Sequence, residues 1–315
     1  MQFYPRVRAR NETARVRSYG TSKDTKLLGF AGYKVGMTHV IVTDNLPNSL
    51  TKGQDLFMPV TIVECPPLKA VSIKFYKILP GEKRAVGEVY ADNLDKEFSK
   101  AAIKPSKTKK VEDMKNFDDV AIMVQTQPKL TGIGKKLPEL FEIALGGAKD
   151  DKLTYAIEKL GKDITVKDVF REGQQIDIHA VTKGHGTQGP MKRFGIARRR
   201  HKSEKSIRNP GSLGGWKAQG KTMWRVAHAG QMGYHTRTEY NKWLVKIGEK
   251  PEDVKMSGGV MHYGVVKNSY LLIKGSIGGA TKRLVRLNNA IRANHKIPKN
   301  APQIQYLSVD SKQGA

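Results

Sequence analysis

The chain has 315 residues, and its 56 Lys and Arg against 29 Asp and Glu give a formal net charge of +27. Such an excess costs an isolated protein self-repulsion, so it favours a polyanionic partner. The single cysteine, Cys65, excludes an internal disulfide and a zinc site built on paired cysteines. No apolar run is as long as a membrane-spanning helix. We expect a soluble protein of a reducing compartment with one large or two modest domains.

Residues 1–26 are predicted to form a basic N-terminal arm. The run 6–10 alternates arginine with a short apolar residue, so an extended backbone would direct its arginines to one side. Arginine suits phosphate binding because its planar fork donates several hydrogen bonds. The alternative is a frayed terminus. The arginines expected to bind phosphate are Arg6, Arg8, Arg10, Arg15 and Arg17.

From residue 27 to 76 the chain has short β-branched and aromatic runs, which predict the first part of a barrel. Glycine and proline separate these runs, at Gly36, Pro47 and Pro66-Pro67. The predicted strands are Phe30–Val35, Val40–Thr43, Val60–Glu64 and Val71–Tyr76.

The same pattern returns in residues 173–189, predicted as a barrel strand, and in residues 241–292, predicted as the second part of the barrel. The strands expected there are Ile176–Val181, Val260–Val266, Tyr270–Lys274 and Arg283–Leu287. Many short strands with glycine turns are typical of a small barrel or sandwich. Residues 293–315 remain as a C-terminal tail.

Residues 77–172 predict an inserted α+β subdomain. Asp95–Ile103 and Asp150–Leu160 have helical patterns, the second with Leu153, Ile157 and Leu160 on one face. Thr165 is expected to cap a short helix together with Asp168, three residues later. Val120–Thr126 is predicted to be a strand.

The segment Val181–Tyr240 has an unusual composition. It contains thirteen Lys or Arg, two acids, ten glycines, four of the eight histidines and two of the three tryptophans. Because apolar periodicity is nearly absent, the segment cannot build a core of its own. Fixed cations, close backbone approach and planar rings suit structured RNA. We therefore predict that residues 190–240 form a long irregular RNA-binding extension.

The run Gly184–Gly189 matches the G-x-G-x-x-G pattern of dinucleotide-binding proteins. The residues that follow are basic and have no apolar helical face, and Glu204 lies in a basic run where a ribose-binding acid would close a second strand. We therefore favour a different role, in which the glycines let backbone amides approach RNA phosphates.

The cations of the segment have few acids beside them, so we expect them to contact phosphates and to set affinity more than sequence choice. The four histidines have no helical i, i+4 pair and no clustered acid or thiol, which argues against a metal site. Imidazoles can hydrogen-bond to RNA or stack on its bases. No catalytic triad, paired-carboxylate site or P-loop is found, and acids are too scarce to act as general bases.

Two tryptophans are expected to lie in different environments. Trp216 lies between glycines and cations, which favours stacking on a base or the tip of a projecting loop. Trp243, beside Leu244 and Val245, is expected in the core.

Five ordered segments resemble the universal large-subunit ribosomal protein L3 family, of the archaeal and eukaryotic type. They span roughly residues 29–290: Gly29–Thr38, Val181–Pro190, Gly230–Glu239, Gly258–Gly264 and Val285-Arg286. The resemblance implies a mainly β fold, with a six-stranded Greek-key barrel of the translation-factor type, the inserted α+β subdomain and the long irregular basic extension.

The resemblance also implies a role. Family members bind large-subunit rRNA near its 3′ end early in assembly, and their extension reaches toward the peptidyl transferase centre. A tryptophan at the tip of the extension corresponds to Trp216, and a histidine that is methylated in some relatives corresponds to His201. Ribosomal proteins L14 and L24e are the implied neighbours.

Two departures limit the transfer. The arm does not match the family's usual Gly-Ser-Leu-Gly-Phe opening, so its contacts are not carried over. Gly215 precedes Trp216 where several relatives have a bulkier residue. The insertion is too variable to transfer any role.

We therefore expect a structural, rRNA-binding constituent of the large ribosomal subunit in the cytoplasm, with no cofactor, metal, membrane or small-molecule substrate and no homo-oligomer. The alternatives are a free-standing RNA-modifying or RNA-folding enzyme and a DNA-compacting protein. Besides the five arm arginines, the candidate rRNA-binding residues are Lys183, Gly184, His185, Gly186, Gln188, Lys192, Arg193, Arg198, Arg199, Arg200, His201, Lys202, Arg208, Trp216, Lys217, Arg225, His228, Tyr234, His235 and Arg237.

Overall fold

A computed structural model describes residues 4–103, 110–114, 116–204, 206–215 and 220–311. Within these residues the fold is mainly β with several sheets, which confirms the predicted class. The strands are β1 (Gly29–Thr43), β2 (Asp55–Glu64), β3 (Leu68–Leu79), β4 (Glu82–Tyr90), β5 (Asp119–Gln125), β6 (Leu140–Ala144), β7 (Asp163–Ile164), β8 (Gln175–Val181), β9 (Gly184–Gln188), β10 (Gly230–Gly233), β11 (Thr236–Gly248), β12 (Tyr270–Lys274), β13 (Leu284–Asn289) and β14 (Ile304–Leu307). The helices are α1 (Phe98–Ala101), α2 (Lys149–Lys159) and α3 (Pro190–Phe194). None of the helices described is long and apolar enough to cross a membrane.

Six strands hydrogen-bond in a closed ring. The order is β13-β8-β11-β12-β2-β1, and the antiparallel pairing of β1 with β13 returns it to its start. Inward-facing residues such as Val60, Ile62 and Leu287 are fully buried and form one hydrophobic core. Burial of this apolar surface is the main favourable term for folding. A seventh strand, β14, pairs with β1 outside the ring.

β1 is a single strand of 15 residues, where the sequence predicted two strands separated at Gly36. The register between β1 and β2 shifts between Lys34 and Gly36, so the glycine lies at a β-bulge. A bulge bends a strand without ending it. An added Cβ at Gly36 would lie 2.9 Å from a methyl carbon of Val260.

A second sheet has the order β4-β3-β5-β6, with β7 paired to β3. The predicted strand Val71–Tyr76 forms, but it lies in this sheet and not in the ring. Placing residues up to 76 in the ring was therefore wrong for this strand. The physical reason is Pro66-Pro67, which follows Cys65 after the end of β2 and has no backbone N–H to donate to a ladder.

Helix α2 packs on the second sheet against β3 and β5. Its bounds confirm the predicted helix, but its buried residue is Ala156, while Ile157 is 47% exposed. The predicted common face with Ile157 is therefore wrong. The cap at Thr165 is confirmed, because its backbone N–H donates to Asp168 Oδ2 at 2.9 Å.

The predicted strand Val260–Val266 is wrong. Val260 and Gly264 exchange two backbone hydrogen bonds of 2.9 Å, which closes a tight loop. His262 has φ +61° and Gly264 has φ +102°. Left-handed backbone of this kind interrupts a strand.

Glu64 is fully buried at the end of β2 and holds this loop in place. Its Oε1 accepts hydrogen bonds of 2.9 Å from the backbone N–H groups of Lys267 and Asn268 and of 2.8 Å from the Asn268 amide, while its Oε2 accepts one from the Tyr263 hydroxyl. A buried carboxylate is tolerated when its lone pairs are satisfied in this way.

We predict that Glu64→Ala lowers the free energy of unfolding by about 3 kcal/mol or more, since each buried donor left without a partner costs about 1–3 kcal/mol. The control is Glu82→Ala on the exposed strand β4, which should change it by no more than about 0.5 kcal/mol. Urea unfolding followed by circular dichroism measures both, and equal effects would contradict the role given to Glu64.

Candidate nucleic-acid interface

The basic extension leaves the ring and returns to it at neighbouring positions. β8 leads into β9, and β10 leads back into β11, whose Thr236 pairs with Val181 at the end of β8. β9 and β10 form a two-stranded ribbon in which Gly230 pairs with Gln188. The G-x-G-x-x-G run therefore lies in a strand at the base of the extension. Only a five-residue helix, α3, follows it.

Strand β11 of the ring begins inside the segment that was predicted to be the irregular extension. Residues 236–240 were assigned to the irregular extension, but they form the first part of β11, and residues 236–239 pair with β8. Alternate Thr and Tyr residues here favour a strand, but no apolar face accompanies them, and the partner strand supplies the register. The irregular part of the extension therefore lies between α3 and β10.

Arg193 holds the base of the extension together. Its Nε donates to the carbonyl of Gln231 at 3.1 Å and its Nη1 to the carbonyl of His228 at 2.9 Å. These bonds join α3 to β10 and to His228, which lies two residues before β10. Arg193 is half-buried, so it supports the surface that carries the other cations.

The N-terminal arm lies against this base. Arg6 Nη1 donates to the carbonyl of Arg193 at 2.7 Å, and the Arg6 guanidinium lies 4.2 Å above the Phe194 ring. The backbone N–H of Ala9 donates to the Tyr234 carbonyl at 2.8 Å. The frayed terminus considered as an alternative is therefore not what the arm forms over residues 6–9.

Two neighbouring aromatic residues complete the contact between arm and extension. The side chain of His235 is buried, and its Nδ1 lies 2.8 Å from the carbonyl oxygen of Val7. Two guanidinium groups lie near the Tyr234 ring, that of Arg8 at 5.4 Å and that of Arg283 at 5.1 Å from its centroid. His235 was expected to face RNA, but here its ring contacts the protein's own arm.

Arg286 joins the arm, the ring and the second sheet. Its Nη1 donates to the Ala14 carbonyl at 3.2 Å, and its Nη2 donates to the Tyr19 hydroxyl at 2.8 Å and to the Glu142 carbonyl at 2.5 Å. Burial lowers the pKa of the Arg286 guanidinium. These hydrogen bonds offset the loss of hydration of its charge. The sequence identified Arg286 only through the family resemblance, and nothing in its strand indicated that it supports the arm.

The candidate residues differ in exposure. The half-buried ones are Arg6, Gln188, Arg193, His228, Tyr234 and Arg237, and His235 is buried. Burial and then the nearby charge of Arg6 lower the pKa of Arg237. The exposed ones are Arg8, Arg10, Arg15, Arg17, Lys183, Gly184, His185, Gly186, Lys192, Arg198, Arg199, Arg200, His201, Lys202, Arg208 and Arg225. Trp216 and Lys217 lie outside the described residues.

The exposed cations are not neutralised by the protein. In the described part of the chain, no Lys or Arg between residues 183 and 225 forms an ion pair with an acid. In the part of the chain that the structure describes, no group of three or more His, Cys, Asp or Glu side chains is arranged to bind a metal ion. Their charge is therefore available to phosphate groups.

A cavity of about 430 Å³ lies in the irregular part of the extension. Its lining includes Arg199, Pro210, Leu213 and His228. Arg199 is held at the wall by its backbone N–H, which donates to Ile207 at 3.2 Å, and by its Nη2, which donates to Pro210 at 3.4 Å. A guanidinium beside apolar walls can accommodate an unstacked base.

Trp224 was not singled out from the sequence. It is 57% exposed, and its ring centroid lies 5.0 Å from that of Tyr4 in the arm. Its place in the same basic segment as Trp216 was a signal that could have identified it. Trp243 is buried as predicted, and its Nε1 donates to the Gly173 carbonyl at 3.0 Å.

Comparison with known proteins finds similarity along nearly the whole chain. The family model described as ribosomal protein L3 matches residues 1–314. A protein named large ribosomal subunit protein uL3 from Methanobrevibacter smithii is 44% identical, over 99% of this chain and 96% of the relative. Proteins of the same name are 46% identical in Methanosphaera stadtmanae, over 99% and 96%, and 42% identical in Archaeoglobus fulgidus, over 100% and 97%.

We predict that Arg193→Ala loosens the base of the extension, because two carbonyl groups are left without their donor. Backbone amides of Gly230–Gly233 should then exchange hydrogen faster. Lys192→Ala is the matched control, since it removes the same charge from an exposed neighbour. Hydrogen exchange followed by mass spectrometry compares the two, and faster exchange in both or in neither would contradict the support role of Arg193.

Proposed function

The chain belongs to the ribosomal protein L3 family, and we propose that it binds large-subunit rRNA through its exposed extension and arm. It is a structural constituent of the large ribosomal subunit in the cytoplasm, and it is not an enzyme. The free-standing RNA-modifying enzyme considered as an alternative is therefore not favoured. The observation that carries the proposal is a set of cations without acidic partners, on a base that the protein itself holds in place.

The proposed contact has two kinds of residue. Arg6, Arg193 and His235 hold the arm against the extension, so they fix the position of the surface and do not face the RNA directly. The exposed cations, such as Arg198 and Arg200, supply the charge that attracts phosphate. Contacts to phosphate position a protein on RNA, and a base in the cavity beside Arg199 would add a contact to a specific nucleotide.

The finer assignments of the family are also part of this proposal. The ring of six strands is consistent with a Greek-key barrel of the translation-factor type, and residues 77–172 with the inserted subdomain. The chain would bind near the 3′ end of the rRNA early in assembly, with the extension directed toward the peptidyl transferase centre. Ribosomal proteins L14 and L24e would be its neighbours. His201 is exposed, as a site of methylation must be.

We predict that replacing Arg198, Arg199 and Arg200 together with Ala weakens binding to a large-subunit rRNA transcript and flattens its salt dependence. Removing one phosphate contact takes about 0.7–0.9 off the slope of log K against log salt, so the slope should fall by about 2.

The matched control replaces Arg84, Lys96 and Lys100 with Ala. It removes the same charge from exposed positions in and beside the second sheet. This control should leave the slope nearly unchanged. An equal fall in both variants would show that net charge attracts the RNA and that the arginines at 198–200 make no local contact.

We also predict that Trp216 acts on RNA and not on stability. Trp216→Ala should leave the melting temperature of the free protein almost unchanged, whereas Trp243→Ala should cost about 3–5 kcal/mol because it empties a core position. Ribosomes with Trp216→Ala should assemble but bind tRNA with altered affinity. A large fall in melting temperature with normal tRNA binding would show that Trp216 is a core residue.

A further inference from the structure

One outer face of the ring differs in character from the rest of the molecule. Residues 35–51, 54–67 and 300–311, which include most of β1, β2 and β14, contain no Lys or Arg, and the exposed Lys52 lies in the turn between the first two segments. The chain elsewhere has so many cations that their absence from these three segments sets this part apart. Strands without cations offer phosphate few partners.

The face itself is apolar and aromatic. Across the three strands Tyr306, Ile41 and Phe57 lie side by side in register, and His39 stacks on Phe57 with ring centroids 4.6 Å apart. Phe57 is 67% exposed and Tyr306 is 45% exposed. We call the outward-facing residues Met37, His39, Ile41, Phe57 and Tyr306 the aromatic face.

These side chains are not needed for the core. The residues between them, Val40, Val42, Met58 and Val60, point inward and are buried. The alternation is that of strands with one buried and one outward face. Large exposed apolar groups gathered in one place mark interaction sites, whereas single exposed ones do not.

The edge of the sheet beside this face is open. β14 pairs with β1 and is the last strand in the order of this sheet, so its other edge has no strand partner within the described residues. An open edge offers backbone donors and acceptors to an added strand. Acids lie at both ends of the face: Asp55 starts β2 and Asp310 follows β14, and both are exposed.

We propose that the aromatic face and the β14 edge form a docking surface for another protein of the large subunit. The partner would add a strand to β14 and place basic side chains near Asp55 and Asp310. The absence of Lys and Arg from the aromatic face and the acids at its two ends favour a basic protein over rRNA, although exposed aromatic rings can also stack on bases. This inference rests on membership of the large subunit and is independent of the proposed rRNA contacts.

The test uses purified large subunits that carry the full chain with Phe57→Ser and Tyr306→Ser together. Both side chains are exposed, so the core stays intact. The matched control is Ile78→Ser with Val86→Ser, two exposed apolar residues of the second sheet. Protein occupancy is measured by quantitative mass spectrometry after graded salt washes, and rRNA reactivity by chemical probing.

We expect one basic protein to dissociate from the Phe57/Tyr306 variant at lower salt than from the control, with an affinity reduced about 30-fold, as for removal of aromatic anchors. Asp55→Lys should weaken the binding of the same protein. Asp92→Lys, at an exposed position beside the second sheet, should leave that binding unchanged. A photoreactive benzoylphenylalanine at position 57 should crosslink to that protein.

Three results would overturn the proposal. Changed rRNA reactivity with unchanged protein occupancy, or a crosslink from position 57 to rRNA, would assign the face to RNA. Unchanged occupancy and unchanged reactivity would show that the face has no partner in the subunit. Equal dissociation from the control variants would show that the effect is not local.

Discussion

The antiparallel pairing of β1 with β13 is the contact on which the rest of the structure depends. It joins Gly29 to Asn288 and closes the ring of six strands. Close approach requires glycine here, because a Cβ at Gly29 would lie 2.9 Å from the Leu287 carbonyl oxygen. Closure leaves β13 between β1 and β8. The arm that enters β1 and the extension that follows β8 are therefore one strand apart.

This arrangement separates the arginines into two groups. Arg6, Arg193 and Arg286 donate to backbone carbonyl groups, so their positions are fixed by the fold. Arg198 and Arg200 are exposed and lie in no ion pair of the described chain. The first group orders the backbone before RNA binds, which lowers the entropy cost of binding. The second group keeps its charge for the polyanion.

Much of the fold could be predicted from local pattern. β5, β8 and β12 are short apolar runs bounded by turns, and all three form where expected. β4, with the sequence EKRAVGEVY, was missed because its exposed residues carry no apolar pattern, and β14 was missed within the predicted tail. Pairing with a neighbouring strand, which sequence does not display, decides such elements.

The candidate site was less predictable than the fold. Composition identified the basic extension, but it could not show that His235 is buried against Val7 or that Arg193 faces carbonyl groups. Those contacts join residues more than 30 positions apart and involve backbone atoms, so no residue type signals them. Composition also drew attention to the basic segments. The aromatic face of β1, β2 and β14 contains no Lys or Arg, so composition did not identify it.

The most direct test of the account is a map of protein–RNA crosslinks in large subunits that contain this chain. Ultraviolet irradiation followed by mass spectrometry identifies the peptides joined to rRNA. We expect adducts concentrated in residues 8–17 and 183–228, with few in the second sheet between residues 68 and 164. Adducts spread evenly over exposed cations, including Arg84, Lys96 and Lys100, would contradict it, because the fold would then have no defined RNA-binding surface.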